Sequence, residues 1–276
     1  MGEQNKHPEA VRYVRADRIS TKGASNQPQE ESVCVVEEAP VTIDVEGIEN
    51  YTILCTPTDK RALAVGFLYT EGVIERTADI EVLKECDDDP NTLRVRLTHE
   101  VPRIADPGRN LMIVSSCGAC GSESLMQRIE ALPGAGDTLK IDAGLLRVVY
   151  SDLRRRQELF KVCGGTHAAA VFDEKGKVLS FAEDTGRHSA LDKAFGKCLL
   201  DGIQVAGRGA ALTSRLSLEM VGKCARAGIE LIAAVSAPTS MAIEVARKTN
   251  ITLCAFVRET RATVFTHPSR VISADG

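Results

Sequence analysis

The sequence has neither a long apolar run nor an excess of positive charge, and each absence excludes a class of protein. The longest apolar stretch, GIELIAAVSAP at 228–238, is too short to span a bilayer and carries Glu230. The opening residues 1–17 contain no apolar segment of the kind that a secretory signal needs. A net charge of −4 supplies no overall basic field for nucleic acid or an anionic membrane. We therefore predict a cytoplasmic protein with no nucleic-acid partner and no membrane partner.

Several well-known site motifs are also missing. The sequence has no P-loop lysine motif, and the G-x-G of AGRGAA is not followed by a full dinucleotide fingerprint. His7-Pro8-Glu9 reads H-x-E, whereas His99 does not begin such a motif, and Ser116 stands before Cys117 where a zinc deaminase has proline. The full signature of a zinc deaminase is therefore not present.

Nine cysteines are an odd number for a disulfide framework. In a reducing compartment we interpret six of them as small buried hydrophobic residues. These six are Cys34, Cys55, Cys86, Cys198, Cys224 and Cys254.

Composition and periodicity divide the chain into three parts. Residues 1–32 are polar towards their end and predict a flexible lead-in. Residues 33–110 predict a small α+β domain, with a hairpin around Glu46-Gly47 and a strand pair around DDDPN. Between them we expect a helix that begins after an N-cap at Thr58 or Asp59 and carries Leu63, Phe67 and Leu68 on one face.

Residues 111–276 predict an α/β domain, because short apolar strands alternate with helices. An amphipathic helix is expected over 145–160, two strands around the turn at 175–176, and a helix near 187–200. Ligands gather at the carboxyl ends of strands in such sheets, and the polar segments GGTH, EDTGRH and SAPTS lie near predicted strand ends.

The stretch VSSCGACGSESL at 114–125 holds a single C-x-x-C pair, Cys117 and Cys120. A structural zinc site needs four ligands, and the best complement, Cys163 with His167, shows no sign of being a second half-site. A strand-like LMIV precedes the pair and Ser122 can cap a helix after it, so the positive helix end favours thiolates. This arrangement is equally compatible with disulfide exchange and with the carriage of sulfur.

Three further segments are candidates for anion binding, each with a simpler structural alternative. The glycines of CGGTH can present backbone N–H groups, although His167 in this position is also typical of a core residue. Arg187 and His188 fall in the first turn of a predicted helix. This turn is either an anion-binding site or a solvated helix start. Arg258 and Arg261 follow a predicted strand, where they could hold a diphosphate or form a basic surface loop.

Taken in order, the motifs resemble the formate dehydrogenase accessory sulfurtransferase family (FdhD). The resemblance covers about residues 33–270 and rests on the ordered series CTPTDKRALAVGFLYTEGVIE, CGACG, GGTHAAAVFD, EDTGRHSALDKAFG, SLEMVGKCARAGIELIAAVSAPTSMAIEVA and RATVFTHPSR. Two positions differ from the pattern expected in this family, Cys163 where Thr or Ser is expected and Glu46 where Asn is expected.

The resemblance implies a cytidine deaminase-like α/β/α layered domain without the zinc site. It also implies a sulfurtransferase that accepts persulfide sulfur from a cysteine desulfurase and delivers it to the molybdenum (or tungsten) bis(molybdopterin guanine dinucleotide) cofactor. Delivery precedes insertion of the cofactor into formate dehydrogenase, and the protein is expected to be a homodimer. A cofactor-binding chaperone without sulfur transfer and a C-x-x-C dithiol oxidoreductase are the alternatives.

Carried onto this sequence, the resemblance makes Cys117 the persulfide-bearing residue and Cys120 its partner in the relay. No residue is expected to bind a resident metal. The residues expected to contact the guanylyl cofactor are Phe256, Val257, Arg258, Glu259, Thr260 and Arg261, together with Thr166, His167, Arg187 and His188.

Overall fold

The computed structural model describes residues 8–21, 28–98 and 129–272. The first two strands, β1 (Val11–Arg18) and β2 (Gln29–Val36), pair antiparallel along their whole length. We predicted a flexible lead-in over residues 1–32, but much of this stretch is a strand and the boundary at residue 32 falls inside β2. The polar composition did not indicate paired strands. Ion pairs between the two strands stabilise the ribbon, and in one of them Arg18 lies 2.9 Å from Glu31.

A four-stranded sheet and one helix form what we call the N-terminal unit, residues 39–97. Its strands are β3 (Ala39–Val45), β4 (Glu49–Cys55), β5 (Ile80–Glu85) and β6 (Thr92–Leu97), and its helix is α1 (Lys60–Thr70). The sheet order is β4-β3-β6-β5, with β3 and β6 parallel and the other pairs antiparallel.

The sequence predictions for this unit are confirmed, apart from the helix cap. β3 and β4 form the expected hairpin, and its turn uses Gly47 at φ 77°. Leu63, Phe67 and Leu68 are buried in one core with the sheet. Asp59 does precede α1, but its side chain makes no capping bond and instead forms an ion pair with Lys197 at 2.7 Å.

Residues 141–272 form what we call the C-terminal unit. Its helices are α2 (Ala143–Arg156), α3 (Glu158–Cys163), α4 (Arg187–Leu200), α5 (Leu218–Arg226) and α6 (Ser240–Lys248). Its strands are β7 (Ile141–Asp142), β8 (His167–Phe172), β9 (Val178–Asp184), β10 (Gly209–Leu212), β11 (Leu231–Ala234), β12 (Thr252–Ala255), β13 (Thr263–Thr266) and β14 (Val271–Ile272). The expected single helix over 145–160 is divided between α2 and α3 at Gln157, where ψ is 78°.

Six of these strands form the larger sheet, in the order β13-β12-β11-β10-β8-β9. β10, β11 and β12 run parallel, whereas β8, β9 and β13 pair antiparallel with their neighbours. Alternate residues of β10 enter different cores, because successive side chains of a strand point to opposite faces. Ala210 and Leu212 pack with α4, α5 and α6, whereas Ala211 packs with α2.

Helices therefore cover both faces of this sheet, as the alternating pattern predicts. The closer likeness to cytidine deaminases stays a prediction. The predicted domain boundary between residues 110 and 111 lies outside the described residues. None of the helices within the described ranges is long and apolar enough to cross a membrane.

Two buried lysines on the C-terminal unit hold the two units together. Lys193 Nζ donates to Asp184 Oδ2 at 2.6 Å and to the carbonyl oxygen of Thr56 at 2.8 Å. Lys223 Nζ lies 2.9 Å from Asp192 Oδ2 and 2.9 Å from Glu71 Oε1. Both lysine side chains are fully buried, so each ammonium depends on these partners for its solvation.

Candidate functional site

The polar segments that the sequence placed near strand ends do lie at one edge of the larger sheet. This is the carboxyl edge of the parallel strands β10 to β12. β8 runs the opposite way, so it begins at this edge, and its first residue His167 pairs with Asp184 at the end of β9. GGTH, EDTGRH and SAPTS are thereby brought together from three separate parts of the chain.

A cavity of about 730 Å³ opens at this edge. Its wall combines apolar groups with cationic and hydrogen-bonding groups, which is the usual composition of a small-molecule site. Tyr150, Leu153, Phe160 and Val235 supply the apolar surface, and Arg154, Lys161, Thr166, His167, Thr213 and Arg258 supply the polar groups.

The buried carboxylate of Glu183 fixes one wall of the cavity. It accepts hydrogen bonds from the backbone N–H groups of Leu159 and Phe160, each at 3.0 Å, and from Thr166 Oγ1 at 2.9 Å. A carboxylate at the N-terminus of α3 satisfies donors that the helix itself cannot pair. The sequence shows Glu183 as one charge in a charged segment and predicts no such role for it.

The GGTH segment turns from α3 into β8 along this wall. Gly164 ends α3 in the left-handed region at φ 71°, a conformation that favours glycine. A Cβ at Gly165 would lie 2.8 Å from Val36 Cγ1, so the backbone passes directly against β2. The two glycines are therefore required by the path of the chain around the cavity.

His167 lies half-buried at the start of β8 and faces the cavity. Burial lowers the pKa of its imidazole and the neighbouring Arg187 guanidinium lowers it further, against an opposing effect of Asp184. The lowered pKa favours the neutral form of the ring at pH 7.

The loop after β12 places Arg258 at the rim of the cavity. Its Nη1 donates to the carbonyl oxygens of Val235 at 2.6 Å and Val257 at 2.9 Å, and its backbone N–H donates to Arg261 at 2.8 Å. Phe256 enters the loop in the left-handed region at φ 53°, a strained conformation for a bulky residue. Strain of this kind persists where surrounding contacts impose it, which is common at functional sites.

The structure thus brings only some of the ten candidate cofactor residues into one wall. Thr166, His167 and Arg258 line the cavity, whereas Val257 is buried beneath it. Thr260 and Arg261 are exposed and are not part of the wall. Whether these residues bind a cofactor stays a prediction.

Arg187 and His188 lie in the first turn of α4, as expected, but outside the cavity wall. Arg187 Nε and His188 Nε2 are buried and have no hydrogen-bond partner among the described residues. Burial, followed by the charges of Arg187 and Lys223, lowers the pKa of His188 to about 4. His188 is therefore a neutral ring, because burial and the charges of Arg187 and Lys223 outweigh the opposing charges of Glu219 and Glu71.

Cys117 and Cys120 lie outside the described residues. Cys55 and Cys254 are buried, and burial raises the pKa of each thiol to about 12. Cys198 and Cys224 are also buried, which confirms the interpretation of these four as small buried hydrophobic residues, but that interpretation is wrong for Cys34 and Cys86, which are only half-buried. Cys163 is different, because it is half-buried at the end of α3 beside the cavity wall, with Sγ 3.0 Å from the Leu159 carbonyl oxygen.

Fold and site together define a mixed α/β protein with a partly cationic cavity at the carboxyl edge of its larger sheet. The chain belongs to the FdhD/NarQ family, whose model matches residues 36–272. It is 40% identical over 263 residues to the sulfur carrier protein FdhD of Bordetella parapertussis, a match that covers 94% of this chain and 95% of that one. It is 35% identical over 264 residues to the sulfur carrier protein FdhD of Saccharolobus solfataricus, covering 95% and 99%.

A solved structure has the same fold. A protein from Desulfotalea psychrophila, described as a formate dehydrogenase accessory protein, superposes with a TM-score of 0.76. The superposition covers 95% of this chain and 100% of that chain at 23% sequence identity. At this identity the match supports the mixed α/β architecture described above.

Proposed function

We propose that this protein is a sulfur carrier that serves the maturation of formate dehydrogenase. It takes sulfur from a cysteine desulfurase and transfers it to the bis(molybdopterin guanine dinucleotide) cofactor of molybdenum or tungsten before the cofactor enters the enzyme. The proposal includes a cytoplasmic location and a homodimer.

One observation carries the proposal. This chain's relatives, matched along nearly its whole length, are named sulfur carriers, and its GGTH motif and Arg258 of FVRETR line one cavity. That cavity places Arg154, Lys161 and Arg258 beside apolar surface. A protein of net charge −4 thereby gains a local site for an anionic, aromatic ligand.

The first step of the proposed chemistry is a thiol–persulfide exchange. The Cys117 thiolate attacks the outer sulfur of the donor persulfide, a new bond forms from Cys117 Sγ to that sulfur, and the donor leaves as a thiolate. No net oxidation occurs, because one S–S bond replaces another. In the sequence, Gly118 lies between the two cysteines and Gly121 follows Cys120.

The second step has Cys120 as the partner. Its thiolate attacks Cys117 Sγ, which forms a Cys117–Cys120 disulfide and releases the outer sulfur as sulfide for the metal of the substrate cofactor. The dithiol supplies the two electrons that reduce the sulfane sulfur. A reductant of the thioredoxin class then restores the dithiol.

Mass spectrometry tests the carrier role directly. The protein is incubated with a cysteine desulfurase and cysteine, and any added sulfur is located by peptide mapping. We expect one extra reducible sulfur on the peptide that contains SSCGACGSESL, which Cys117→Ala abolishes. Cys163→Ala serves as the matched control, since it removes the half-buried thiol beside the cavity and should leave loading unchanged.

The same variants test the biological role. Cys117→Ala should abolish formate dehydrogenase activity in a strain that depends on this protein, while circular dichroism shows an intact fold. Normal formate dehydrogenase activity with this variant would refute the proposal. Activity rescued by added sulfide with no protein persulfide would instead identify a cofactor chaperone, and a C-x-x-C disulfide that turns over without sulfur loading would identify an oxidoreductase.

A further inference from the structure

The outer face of α2 forms a groove with the turn between β8 and β9. The groove has a volume of about 560 Å³, and we call it the α2 groove. Its lining includes Val148, Asp152, Arg155 and Arg156 of the helix and Gly176 and Lys177 of the turn. None of these residues lines the cavity at the carboxyl edge of the larger sheet, and the turn follows the opposite end of β8. The α2 groove is therefore a separate feature of the surface.

The floor of the α2 groove is apolar. Val148 lies among the polar residues of the outer face of α2 and is 47% exposed. The turn passes close to the helix at this point: Gly176 adopts φ 70°, and a Cβ there would lie 3.1 Å from Leu145 Cβ. Because glycine has no side chain, the turn leaves the floor uncovered at this position.

The rim of the α2 groove is cationic. Four cations line it, Arg147, Arg155, Arg156 and Lys177, and Asp152 is the one carboxylate among the lining residues that the structure describes, which gives a net charge of +3. Asp152 pairs with Arg155 at 2.5 Å and with Arg156 at 2.9 Å, so a single carboxylate serves two guanidinium groups. Within the described ranges, Arg147 and Lys177 have no ion-pair partner.

Helix stability accounts for only part of this charge. Cations in the last turn of a helix interact favourably with its carbonyl end, which applies to Arg155 and Arg156. Arg147 lies outside the last turn of α2, and Lys177 does not belong to the helix. In a protein of net charge −4, this local excess of positive charge favours an anionic partner.

The composition of the groove fits a protein segment better than a small anion or a nucleic acid. All four cations are exposed, so a single small ion bound there would stay hydrated and gain little. A nucleic acid offers phosphates but no apolar side chain to cover Val148. An acidic amphipathic segment supplies carboxylates for the rim and an apolar side chain for the floor, which is the usual arrangement of a protein interface.

The α2 groove also lies close to the cavity, because the inner face of the same helix lines that cavity through Tyr150, Leu153 and Arg154. A helix with its side chains is about 10 Å across, so a protein seated in the groove lies about one helix diameter from the cavity. We propose that the α2 groove docks the client enzyme, formate dehydrogenase, through an acidic segment that places an apolar side chain on Val148. The client is the partner because it must take up what the cavity holds. Its identity rests on the proposed function, whereas its acidic chemistry rests on the groove alone.

Binding of cofactor-free formate dehydrogenase to the full chain, measured by biolayer interferometry, tests this proposal. Arg155→Glu, Lys177→Glu and Val148→Asp should each weaken binding about tenfold or more. Lys248→Glu is the matched control, because it makes the same change of charge at an exposed position of α6, on the opposite face of the larger sheet, and should change the affinity less than about twofold. Raising the salt concentration from about 50 mM to about 300 mM should weaken binding of the unmodified chain several-fold and that of Lys177→Glu less.

Equal losses with Lys177→Glu and Lys248→Glu would overturn the proposal, since they would show a general effect of charge. Absence of formate dehydrogenase binding to the unmodified chain would also overturn it. Groove variants that bind the client normally but lose binding of the cysteine desulfurase or of transfer RNA would assign the groove to another partner and overturn it as well.

Sulfur loading on Cys117, measured in the same variants, separates this proposal from the carrier role. Groove variants should load sulfur normally while they bind the client weakly. A chain that loads sulfur but does not bind the client through the groove keeps the carrier role and loses the docking site. A chain that binds the client through the groove but never loads sulfur keeps the docking site and loses the carrier role.

Discussion

Gly66 of α1 and Gly196 of α4 face each other where the two helices cross. A Cβ at Gly66 would lie 1.8 Å from the carbonyl oxygen of Asp192, and a Cβ at Gly196 would lie 1.8 Å from that of Ala62. The two backbones are therefore in direct contact, and this contact joins the N-terminal and C-terminal units. It also brings α1 close enough for Thr56 and Glu71 to reach the buried lysines.

Gly66→Ala and Gly196→Ala should each destabilise the protein strongly. A methyl group at either position must push the helices apart, and overpacking of this kind costs about 1–3 kcal/mol or more. Thermal and urea unfolding would measure the loss. Gly134→Ala is the matched control, since a Cβ there has open space around it and should leave the free energy of unfolding nearly unchanged. Equal stability of all three variants would show that the helices do not cross as described.

Lys193→Met should lower the free energy of unfolding by about 3–5 kcal/mol, because it leaves the buried carboxylate of Asp184 without its cation. The double variant Lys193→Met with Asp184→Asn should be more stable than the single variant, since it removes the uncompensated charge. Lys175→Met, in the exposed turn between β8 and β9, controls for the substitution itself. A double variant less stable than Lys193→Met would contradict this account of the pair.

The stability of the protein should fall as the pH drops from about 6.5 to about 4. The folded-state pKa of His188 is lowered to about 4, whereas a histidine in the unfolded chain titrates near 6.5. Between these values the unfolded state binds the proton and the folded state does not, so acidification favours unfolding, by about 3 kcal/mol in total. Chemical unfolding at a series of pH values should show this slope, and His188→Gln should flatten it. A slope unchanged by the substitution would assign the pH dependence to other groups.

Glu183→Gln should disturb the cavity wall as well as the stability. The amide presents N–H groups where Leu159, Phe160 and Thr166 all donate, so at least one donor loses its acceptor. We expect a loss of about 1–3 kcal/mol in unfolding free energy and weaker binding of GDP to the cavity. Glu174→Gln, an exposed carboxylate paired with Arg208, is the control. Unchanged stability and binding in Glu183→Gln would show that the wall does not depend on this carboxylate.

Local patterns predicted most of the elements. The sequence predicted the hairpins at 39–55 and 167–184 and the helix at 187–200. Their signals, turn glycines and hydrophobic periodicity, come from residues close together in the chain. The break between α2 and α3 was not predicted, because both segments favour a helix. The carboxylate of Glu183, which accepts a hydrogen bond from the start of α3, lies 24 residues further along the chain. The β1–β2 ribbon was missed because its charges pair across strands rather than along the chain.

Only the part of the candidate site that local motifs mark could be predicted from the sequence. GGTH and Arg258 follow from short motifs, and the carboxyl edge of a parallel sheet brings such motifs together. Tyr150 and Arg154 carry no motif, and only the packing of α2 against the sheet places them in the wall. Asp192 and Lys193 belong to a charged segment whose composition is equally compatible with a solvated helix start. In the structure both residues are buried.

The glycine crossing has a consequence for synthesis of the chain on the ribosome. Thr56 and its partner Lys193 are 137 positions apart, so the N-terminal unit emerges long before the helix that covers α1. Until residues 187–200 have left the exit tunnel, the face of α1 around Gly66 is not covered, and Glu71 lacks its cation until Lys223 has followed. The nascent chain therefore passes through an interval in which its own structure does not yet cover that surface.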